Sequence, residues 1–459
     1  MSEAIARPTA TRSQLGAGSL LLFALLIFVL VAQGWAVAHS AMLALPLICL
    51  AVFVLAPSLP LVPVFGALLG LRVLVDAMPD GGSRYSTAVD MPGFLAMTLI
   101  ALALGLLWRR REGLRPTLAV AAAICVWTLI MVASEGASTV SLREGVREAS
   151  LLAVAVIVVN ARGVLSLGLC TRIVQLAGAV AGVVALVQVA THNGMDVAGD
   201  IRSNGTFSHP NAAAVYFAVA TISSLWRWLE LGRQRLDAGF TLLFSAAAIT
   251  TFSIGGFGGL IAMAVVFAVL RSGSARFRIG VCVAVAALAA VFALTPIGGN
   301  RIASETNTSL SGSSGAETNS LEWRVHKWRH LVEEWKGSPV VGHGLGWTVA
   351  QDDGHPTNSQ LPHNEYVRYL AETGVVGIGL WLAGLGAFGY GLLRGGGRGR
   401  GAGALGAALL AGLMVNALAA NTLLYTPAAY AAVAVLAAAG VEVGALRRGR
   451  GRGRPDVAA

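Results

Sequence analysis

The chain has little charge for its length. Only 12% of its 459 residues are Asp, Glu, Lys or Arg, whereas soluble domains carry roughly a quarter. Hydrophobic residues make up 56% of the chain, and apolar runs of about 18–20 residues, the length that crosses a ~30 Å hydrocarbon core, recur from one end to the other. This composition excludes a soluble globular protein. We predict an all-α polytopic membrane protein, because lipid cannot satisfy open backbone groups.

Cysteine is also scarce, and its placement argues against two kinds of site. All four cysteines fall inside apolar runs: Cys49, Cys125, Cys170 and Cys282. Such scattered positions fit neither a disulfide framework nor a metal cluster, so we expect these residues to pack as small apolar side chains. The sequence predicts no cofactor.

The apolar runs predict about 12–14 transmembrane helices. Their approximate bounds are 19–36, 41–56, 60–76, 92–108, 117–134, 149–160, 172–190, 211–228, 239–253, 257–271, 279–296, 375–393, 404–420 and 426–443. We expect five regions: a cytoplasmic tail at 1–18, a transmembrane region at 19–296, a large exoplasmic loop with short amphipathic helices at 297–374, C-terminal transmembrane helices at 375–443, and a basic cytoplasmic tail at 444–459.

Basic residues orient these helices. If both termini are cytoplasmic, all the main arginine clusters fall on the cytoplasmic side, as the positive-inside rule requires: 109–115, 227–235, 271–278, 394–400 and 447–454. We therefore interpret the formal net charge of +10 as a topology signal with attraction to anionic lipids, and we predict no nucleic-acid partner. The preference for arginine over lysine indicates a GC-rich bacterial genome, so we expect the membrane to be a bacterial plasma membrane. All eight histidines then lie on the exoplasmic face, where we expect any chemistry.

The stretch Leu361–Gly374, LPHNEYVRYLAETG, is the most informative part of that face. It places several ionisable residues directly before an apolar run: His363, Glu365, Arg368 and Glu372, with Asn364 among them. Ionisable residues at a membrane boundary are costly without partners and often mark a site. Capping of the following helix is an alternative role for His363.

The segment before this stretch carries an amphipathic pattern. Val325, Trp328, Val332 and Trp335 predict a helix, and its tryptophans suit the headgroup zone. The other faces form a basic and, we expect, largely solvated surface: Arg324, His326, Lys327, Arg329 and His330. We expect Pro339–Gly346 to be a glycine-rich turn that permits close backbone approach.

Two further loops carry polar residues of interest. Pro210 and Asn211 predict a helix start, which puts Arg202 and His209 near the same boundary as His363. One such arginine would serve as a lipid anchor, but arginines from separate loops together with a histidine favour a bound anion. The second loop contains Asp352, Asp353 and His355, which could bind a divalent metal. An ordinary solvated loop is the favoured interpretation, so we predict no metal site and a metal-independent activity.

Four motifs, in this order, resemble those of the O-antigen ligase/polymerase family. They are R-x-x-G-x-F-x-x-P-N at 202–211, R-x-x-x-W at 324–328, G-S-P-V-V-G-H-G-L-G at 337–346 and H-N-E-Y-V-R-Y-L-A-E-T-G-V-V-G at 363–377. The resemblance covers roughly residues 90–440. It has one departure: Ser253-Ile254-Gly255-Gly256 stands where family members commonly carry a Ser-Arg pair.

The resemblance implies a reaction. Members transfer a glycan from a polyprenyl (undecaprenyl) pyrophosphate carrier to an acceptor hydroxyl on the exoplasmic face, in polymerisation or in ligation. It implies that Arg202 and Arg324 bind the diphosphate, whose oxygens suit the planar guanidinium fork, and that His363 accepts or orients the acceptor's proton. We expect further substrate contacts from His209, Asn211, His330, His343, Asn364, Glu365 and Arg368. The implied partners are the lipid-linked oligosaccharide donor, a glycan or lipid-linked acceptor, and membrane lipids.

Three other functions stay open. A polyprenyl-phosphate-sugar-dependent glycosyltransferase would need an acidic residue in the first outer loops, where Asp76, Asp80 and Asp90 lie. A lipid-linked glycan transporter or flippase predicts internal repeats and charges in mid-membrane, and neither is clear. A scaffolding protein would not need arginine and histidine on separate loops.

Overall fold

The structure is a computed structural model that describes residues 38–76, 91–109, 139–197, 200–271, 274–306, 320–350, 361–394 and 400–451. These parts of the chain are mostly helical, with one short antiparallel ribbon. The elements are α1 (Ala38–Leu55), α2 (Leu61–Leu74), α3 (Met91–Arg109), α4 (Thr139–Asn160), α5 (Leu167–Ala190), β1 (Met195–Val197), β2 (Asp200–Arg202), α6 (Pro210–Glu230), α7 (Arg235–Thr250), α8 (Ile254–Leu270), α9 (Ala275–Leu294), α10 (Pro296–Thr306), α11 (Ser320–Trp335), α12 (Trp347–Ala350), α13 (Glu365–Leu393), α14 (Arg400–Ala417) and α15 (Thr426–Gly451).

The predicted fold class is confirmed. Within the described residues, six helices are long and apolar enough to cross a membrane, namely α3, α5, α6, α9, α13 and α15, and α2, α8 and α14 contain shorter apolar helices. The predicted spans 19–36 and 117–134 lie outside the described residues. The protein is therefore an all-α polytopic membrane protein.

The centre of the bundle is α6. It contacts α5, α7, α8, α14 and α15, and 83% of its apolar span is buried, against 6% for α9. Alanines such as Ala212, Ala213 and Ala218 let neighbouring helices approach closely. The apolar side chains of α9 remain exposed, as expected for a helix that faces lipid.

The chain connections sort the polar segments between the two ends of the bundle. The β1–β2 ribbon joins α5 to α6 at the end where α7 gives way to α8 and α14 to α15. At the opposite end, Arg271 pairs with Glu230 at 2.7 Å, and Arg447 donates to the Gly391 carbonyl at 3.0 Å. Arg271 and Arg447 belong to basic clusters that the positive-inside rule assigns to the cytoplasmic side. Both therefore lie at the end of the bundle away from Arg202.

Two helices begin about ten residues earlier than the sequence indicated. The spans predicted at 149–160 and 375–393 start at Thr139 and Glu365. In each case the added turns are polar, so hydropathy assigned them to loops. They are helical because their charged side chains neutralise each other, as described below.

Helix α13 is broken at Gly374, whose φ of 63° and ψ of −172° are not helical. The break leaves backbone groups that the segment Pro339–Gly346 satisfies: Val375 N–H donates to the Pro339 carbonyl at 3.0 Å, and His343 N–H donates to the Ala371 carbonyl at 3.0 Å. A Cβ on Gly374 would lie 2.3 Å from the Val340 carbonyl oxygen. The predicted close backbone approach is confirmed, and it serves the broken helix.

The amphipathic helix predicted around Trp328 is confirmed as α11, but its basic surface is not wholly solvated. Lys327 is 1% exposed and Leu331 is fully buried. These two residues are four apart and therefore share one face of the helix. The prediction of a solvated basic surface is wrong at Lys327, because that face packs against the protein.

Candidate active site

Arg202 is held by neutral groups at the end of β2. Its side chain is buried, with Nε donating to the Thr251 carbonyl at 2.8 Å and Nη2 donating to Asn211 Oδ1 at 3.0 Å. The next residue fixes the loop to α7, since Ser203 N–H donates to the Thr250 carbonyl at 3.2 Å. These two hydrogen bonds, to a carbonyl and to an amide, orient the guanidinium.

Arg202 and Arg324 line the same cavity. It is a small cavity, lined by Arg202, Asn211, Ser253, Ile254, Gly255, Arg324, Ala419 and Ala420. The β2–α6 loop, the α7–α8 turn, α11 and the chain after α14 all contribute to it. Among the described residues that line it, the two arginines are the charged ones, and the guanidinium group is suited to binding phosphate or carboxylate.

Trp328 connects Arg324 to the segment that contains His363. Arg324 precedes Trp328 by one turn of α11, and therefore lies on the same face. Trp328 Nε1 donates to the Pro362 carbonyl at 2.6 Å. His363 follows directly, in the left-handed region with φ of 49°. Its alternative role as a helix cap is wrong, because the cap is Asn364, whose side chain accepts from Tyr366 and Val367 N–H.

The start of α6 carries two of the predicted substrate contacts. His209 caps the helix, with Nδ1 accepting from Asn211 N–H at 3.0 Å. A neutral His209 ring therefore carries its proton on Nε2. Asn211 lines the cavity and accepts from Arg202, so its side chain helps to orient that arginine.

Sequence analysis missed Tyr425, which lies between α14 and α15. Its electrostatic neighbours include Asn211, Arg324 and Arg202. Burial raises the pKa of Tyr425 to about 12, with Glu365 acting in the same direction, and this outweighs the lowering by Asn211, Arg324 and Arg202. Tyr425 is therefore a neutral phenol at physiological pH. The available signal was the polar stretch at 421–426 between two apolar runs.

The α7–α8 turn was noted in the sequence only as a departure from the family pattern. Ser253, Ile254 and Gly255 all line the cavity. Ser253 also begins α8, since its Oγ accepts from Gly256 N–H at 3.2 Å. A Cβ on Gly256 would lie 2.3 Å from Ala214 Cβ, so this turn packs tightly against α6.

Arg368 and Glu365 belong to a second, distinct set of charges. The Arg368 cluster consists of Arg147, Arg368, Glu144, Glu148, Glu365 and Glu372, from the polar first turns of α4 and α13. Arg368 Nη2 lies 2.5 Å from Glu365 Oε1 and 3.4 Å from Glu148 Oε1, and its Nη1 lies 3.2 Å from Glu372 Oε2. Arg147 pairs with Glu144. Arg368 and Glu365 are almost completely buried. The ion pairs from Arg368 to Glu144 and Glu148 join α13 to α4.

The remaining predicted residues lie elsewhere. His343 Nε2 is 2.9 Å from the Glu334 carbonyl, and its ring stacks on Trp347 at 4.2 Å. His330 is half-buried on α11. Neither residue is among those that line the cavity. Asp76 is held by Arg72 at 2.6 Å and by Ser208 at 3.0 Å.

The structure bears only partly on a metal site. Asp352, Asp353 and His355 lie outside the described residues, as do Asp80 and Asp90. Within the described part of the chain, no group of three or more His, Cys, Asp or Glu side chains is arranged to hold a metal.

Comparison with known proteins bears on the resemblance. A search of curated proteins finds no match. Residues 239–382 match the family described as O-antigen ligase. The match runs from α7 into α13 and includes Ser253, Arg324 and His363, whereas Arg202 and Tyr425 lie outside it. This match covers less than a third of the chain and supports the resemblance to the O-antigen ligase/polymerase family that the four motifs indicated.

Proposed function

We propose that this protein transfers a glycan from a polyprenyl pyrophosphate carrier to an acceptor hydroxyl at the exoplasmic face of a bacterial plasma membrane. The family suggests a glycosyltransferase of the O-antigen ligase/polymerase type. A lipid diphosphate donor is supported by the cavity that Arg202 and Arg324 both line, although they are distant in the sequence.

The leaving group explains the need for two arginines. As the bond between the anomeric carbon and the diphosphate oxygen breaks, its electron pair passes to the polyprenyl diphosphate. Charge-assisted hydrogen bonds from Arg202 and Arg324 stabilise that charge. A diphosphate is already a good leaving group, so no strong general acid is required.

The acceptor side needs a proton acceptor. In the proposed reaction the acceptor hydroxyl oxygen forms the new bond to the anomeric carbon and its proton passes to the His363 imidazole. The bond from Trp328 to the Pro362 carbonyl supports this role, because it connects the His363 segment to the helix that carries Arg324. His209 and Asn211 would complete the binding of the donor.

Reconstitution tests the proposal. Purified protein in lipid nanodiscs would receive undecaprenyl-pyrophosphate oligosaccharide, with and without EDTA. We expect wild type to consume the donor, and Arg202→Ala and His363→Asn to lose most of that activity. Asparagine is chosen because it tolerates a left-handed φ. Arg235→Ala, an exposed arginine at the opposite end, is the matched control.

Two outcomes would revise the proposal. Full activity of Arg202→Ala and His363→Asn would reject the mechanism, and loss of activity with EDTA would restore the metal site at 352–355. The products separate the two forms of the reaction, since a polymerase gives a ladder of chain lengths and a ligase gives one addition to an acceptor.

A further inference from the structure

The turn at residues 339–341 carries apolar side chains that the described part of the chain leaves exposed. Val340 is 57% exposed and Val341 is 45% exposed. The turn has a defined shape, because Gly342 N–H donates to the Ser338 carbonyl at 2.9 Å and Ser338 Oγ donates to the Gly342 carbonyl at 2.7 Å. Exposed apolar surface of this kind marks a contact with a partner or a membrane when it forms part of a larger patch.

Backbone hydrogen bonds place the turn beside the apolar part of α13. Val375 N–H donates to the Pro339 carbonyl at 3.0 Å, and Val376 N–H donates to the Val340 carbonyl at 3.2 Å. Val375 and Val376 are themselves 48% and 38% exposed. The valines of the turn therefore extend the exposed apolar surface of α13, and we call Val340, Val341, Val375 and Val376 together the valine patch.

The length of α13 gives the depth of the valine patch. After the break, α13 continues from Val375 to Leu393, which is about 28 Å at a rise of 1.5 Å per residue. That distance nearly equals the ~30 Å hydrocarbon core of a bilayer, and Arg394 follows directly at the far end. Only 11% of the apolar span of α13 is buried, so most of this helix faces lipid. The valine patch therefore lies at one boundary of the hydrocarbon core.

We propose that the turn at 339–341 enters the bilayer, where Val340 and Val341 contact the acyl chains of the leaflet at the cavity end of the bundle. This inference goes beyond the proposed function and does not depend on it. It also differs from the sequence prediction for 297–374, because one turn of that exoplasmic loop then lies at the depth of lipid.

The residues before the turn agree with this depth. Trp335 ends α11, and its Nε1 donates to the Pro339 carbonyl at 3.1 Å. Tryptophan suits the headgroup zone, which lies just outside the hydrocarbon core. The Lys336 side chain is 60% exposed and is placed to meet headgroups or water. Contact with lipid at 339–341 would hold the end of α11 at the bilayer surface, and α11 is the helix that carries Arg324.

Spin labels measure the depth of the turn. Single cysteines at Val340, Val341, Lys336 and Leu380 would be introduced into the full chain with its four native cysteines changed to alanine, labelled with a nitroxide and placed in lipid nanodiscs. Power-saturation EPR compares collisions with oxygen, which concentrates in hydrocarbon, and with a nickel chelate, which stays in water. Leu380 of α13 is 61% exposed and serves as the lipid reference, and Lys336 serves as the matched water reference.

We expect Val340→Cys and Val341→Cys to resemble Leu380→Cys, with more access for oxygen than for nickel, and Lys336→Cys to show the reverse. Nickel access at Val340 and Val341 equal to that at Lys336 would overturn the proposal, because the turn would then lie in water. Low access for both reagents would also overturn it, since protein, such as a second copy of the chain, would then cover the valine patch.

A measurement without labels supports or rejects the same contact. In nanodiscs, Val340→Asp should lower the unfolding midpoint, because a charge in hydrocarbon is costly, whereas Val340→Leu should leave the midpoint unchanged. An exposed turn in water would accept aspartate at no such cost. Equal midpoints for Val340→Asp and Val340→Leu would therefore contradict the lipid contact.

Discussion

The protein surrounds its arginines in two different ways. In the cavity, Arg202 is oriented by a backbone carbonyl and an amide, and the described part of the lining includes Arg324. In the Arg368 cluster, Arg368 lies within 4 Å of carboxylate oxygens of Glu144, Glu148, Glu365 and Glu372. The described contacts of Arg202 are with neutral groups, whereas the carboxylates around Arg368 join α4 to α13.

Physical chemistry explains why the distinction matters. A buried arginine that is surrounded by carboxylates has little charge left for a phosphate, and removing it leaves buried negative charges without compensation. Hydrogen bonds to a carbonyl and an amide fix the geometry of a guanidinium and do not themselves neutralise its charge. Both kinds of arginine lie near the same predicted membrane boundary, so position alone does not distinguish a binding residue from a structural one.

The largest effect is expected in the Arg368 cluster. Arg368→Ala should lower the free energy of unfolding by about 3–5 kcal/mol, because it leaves buried carboxylates unpaired. Unfolding of the detergent-solubilised protein by heat or denaturant would measure this. Arg329→Ala, an exposed residue on α11, is the control. A stable Arg368→Ala protein without transferase activity would instead identify Arg368 as a site residue.

The next largest effect is expected on activity. Arg202→Ala should lower the rate of transfer on the order of 10²- to 10³-fold, as for the loss of a donor to developing negative charge. Its unfolding midpoint should change less than that of Arg368→Ala, because no carboxylate loses its partner in the contacts described for Arg202. Initial rates with lipid-linked oligosaccharide and the unfolding midpoint would be measured on the same preparation. Destabilisation as large as in Arg368→Ala would remove the contrast between the two regions.

A third prediction concerns the break in α13 that positions the Arg368 cluster. Gly374→Ala should cost about 1–3 kcal/mol of stability, because its backbone conformation suits glycine alone and a Cβ would lie 2.3 Å from the Val340 oxygen. Gly379→Ala is the control in the same helix, since a Cβ there has nothing within 4 Å. It should be neutral or stabilising by up to about 1 kcal/mol. Equal unfolding midpoints for the two variants would contradict this account.

The two regions were not equally predictable from the sequence. Hydropathy predicted the apolar helices. The motifs predicted that Arg202 and Arg324 act together, and both residues line the cavity. The first turns of α4 and α13 were assigned to loops, because hydropathy treats each charge alone. Glu148 and Arg368 are far apart in the sequence, and their mutual neutralisation appears only when the helices pack.

Tyr425 illustrates a different limit. A tyrosine between two apolar runs is ordinary at a membrane boundary, and nothing in its local sequence indicates a partner. The groups that lower its pKa, Asn211, Arg324 and Arg202, belong to other elements. Lys327 was misjudged for a related reason, because helical periodicity identifies a face of α11 but not what packs against it.

The smallest effect is expected for an ion pair between arginine and glutamate that is partly exposed to water. Arg271 pairs with Glu230 at 2.7 Å, but their side chains remain 20% and 33% exposed. Glu230→Gln should therefore change the free energy of unfolding by only about 0–1 kcal/mol, since water and salt screen the pair. Unfolding midpoints at low and high salt would test this. A loss as large as that in Arg368→Ala would mean that burial does not set the difference between these ion pairs, and the contrast between the cavity and the Arg368 cluster would then need another cause.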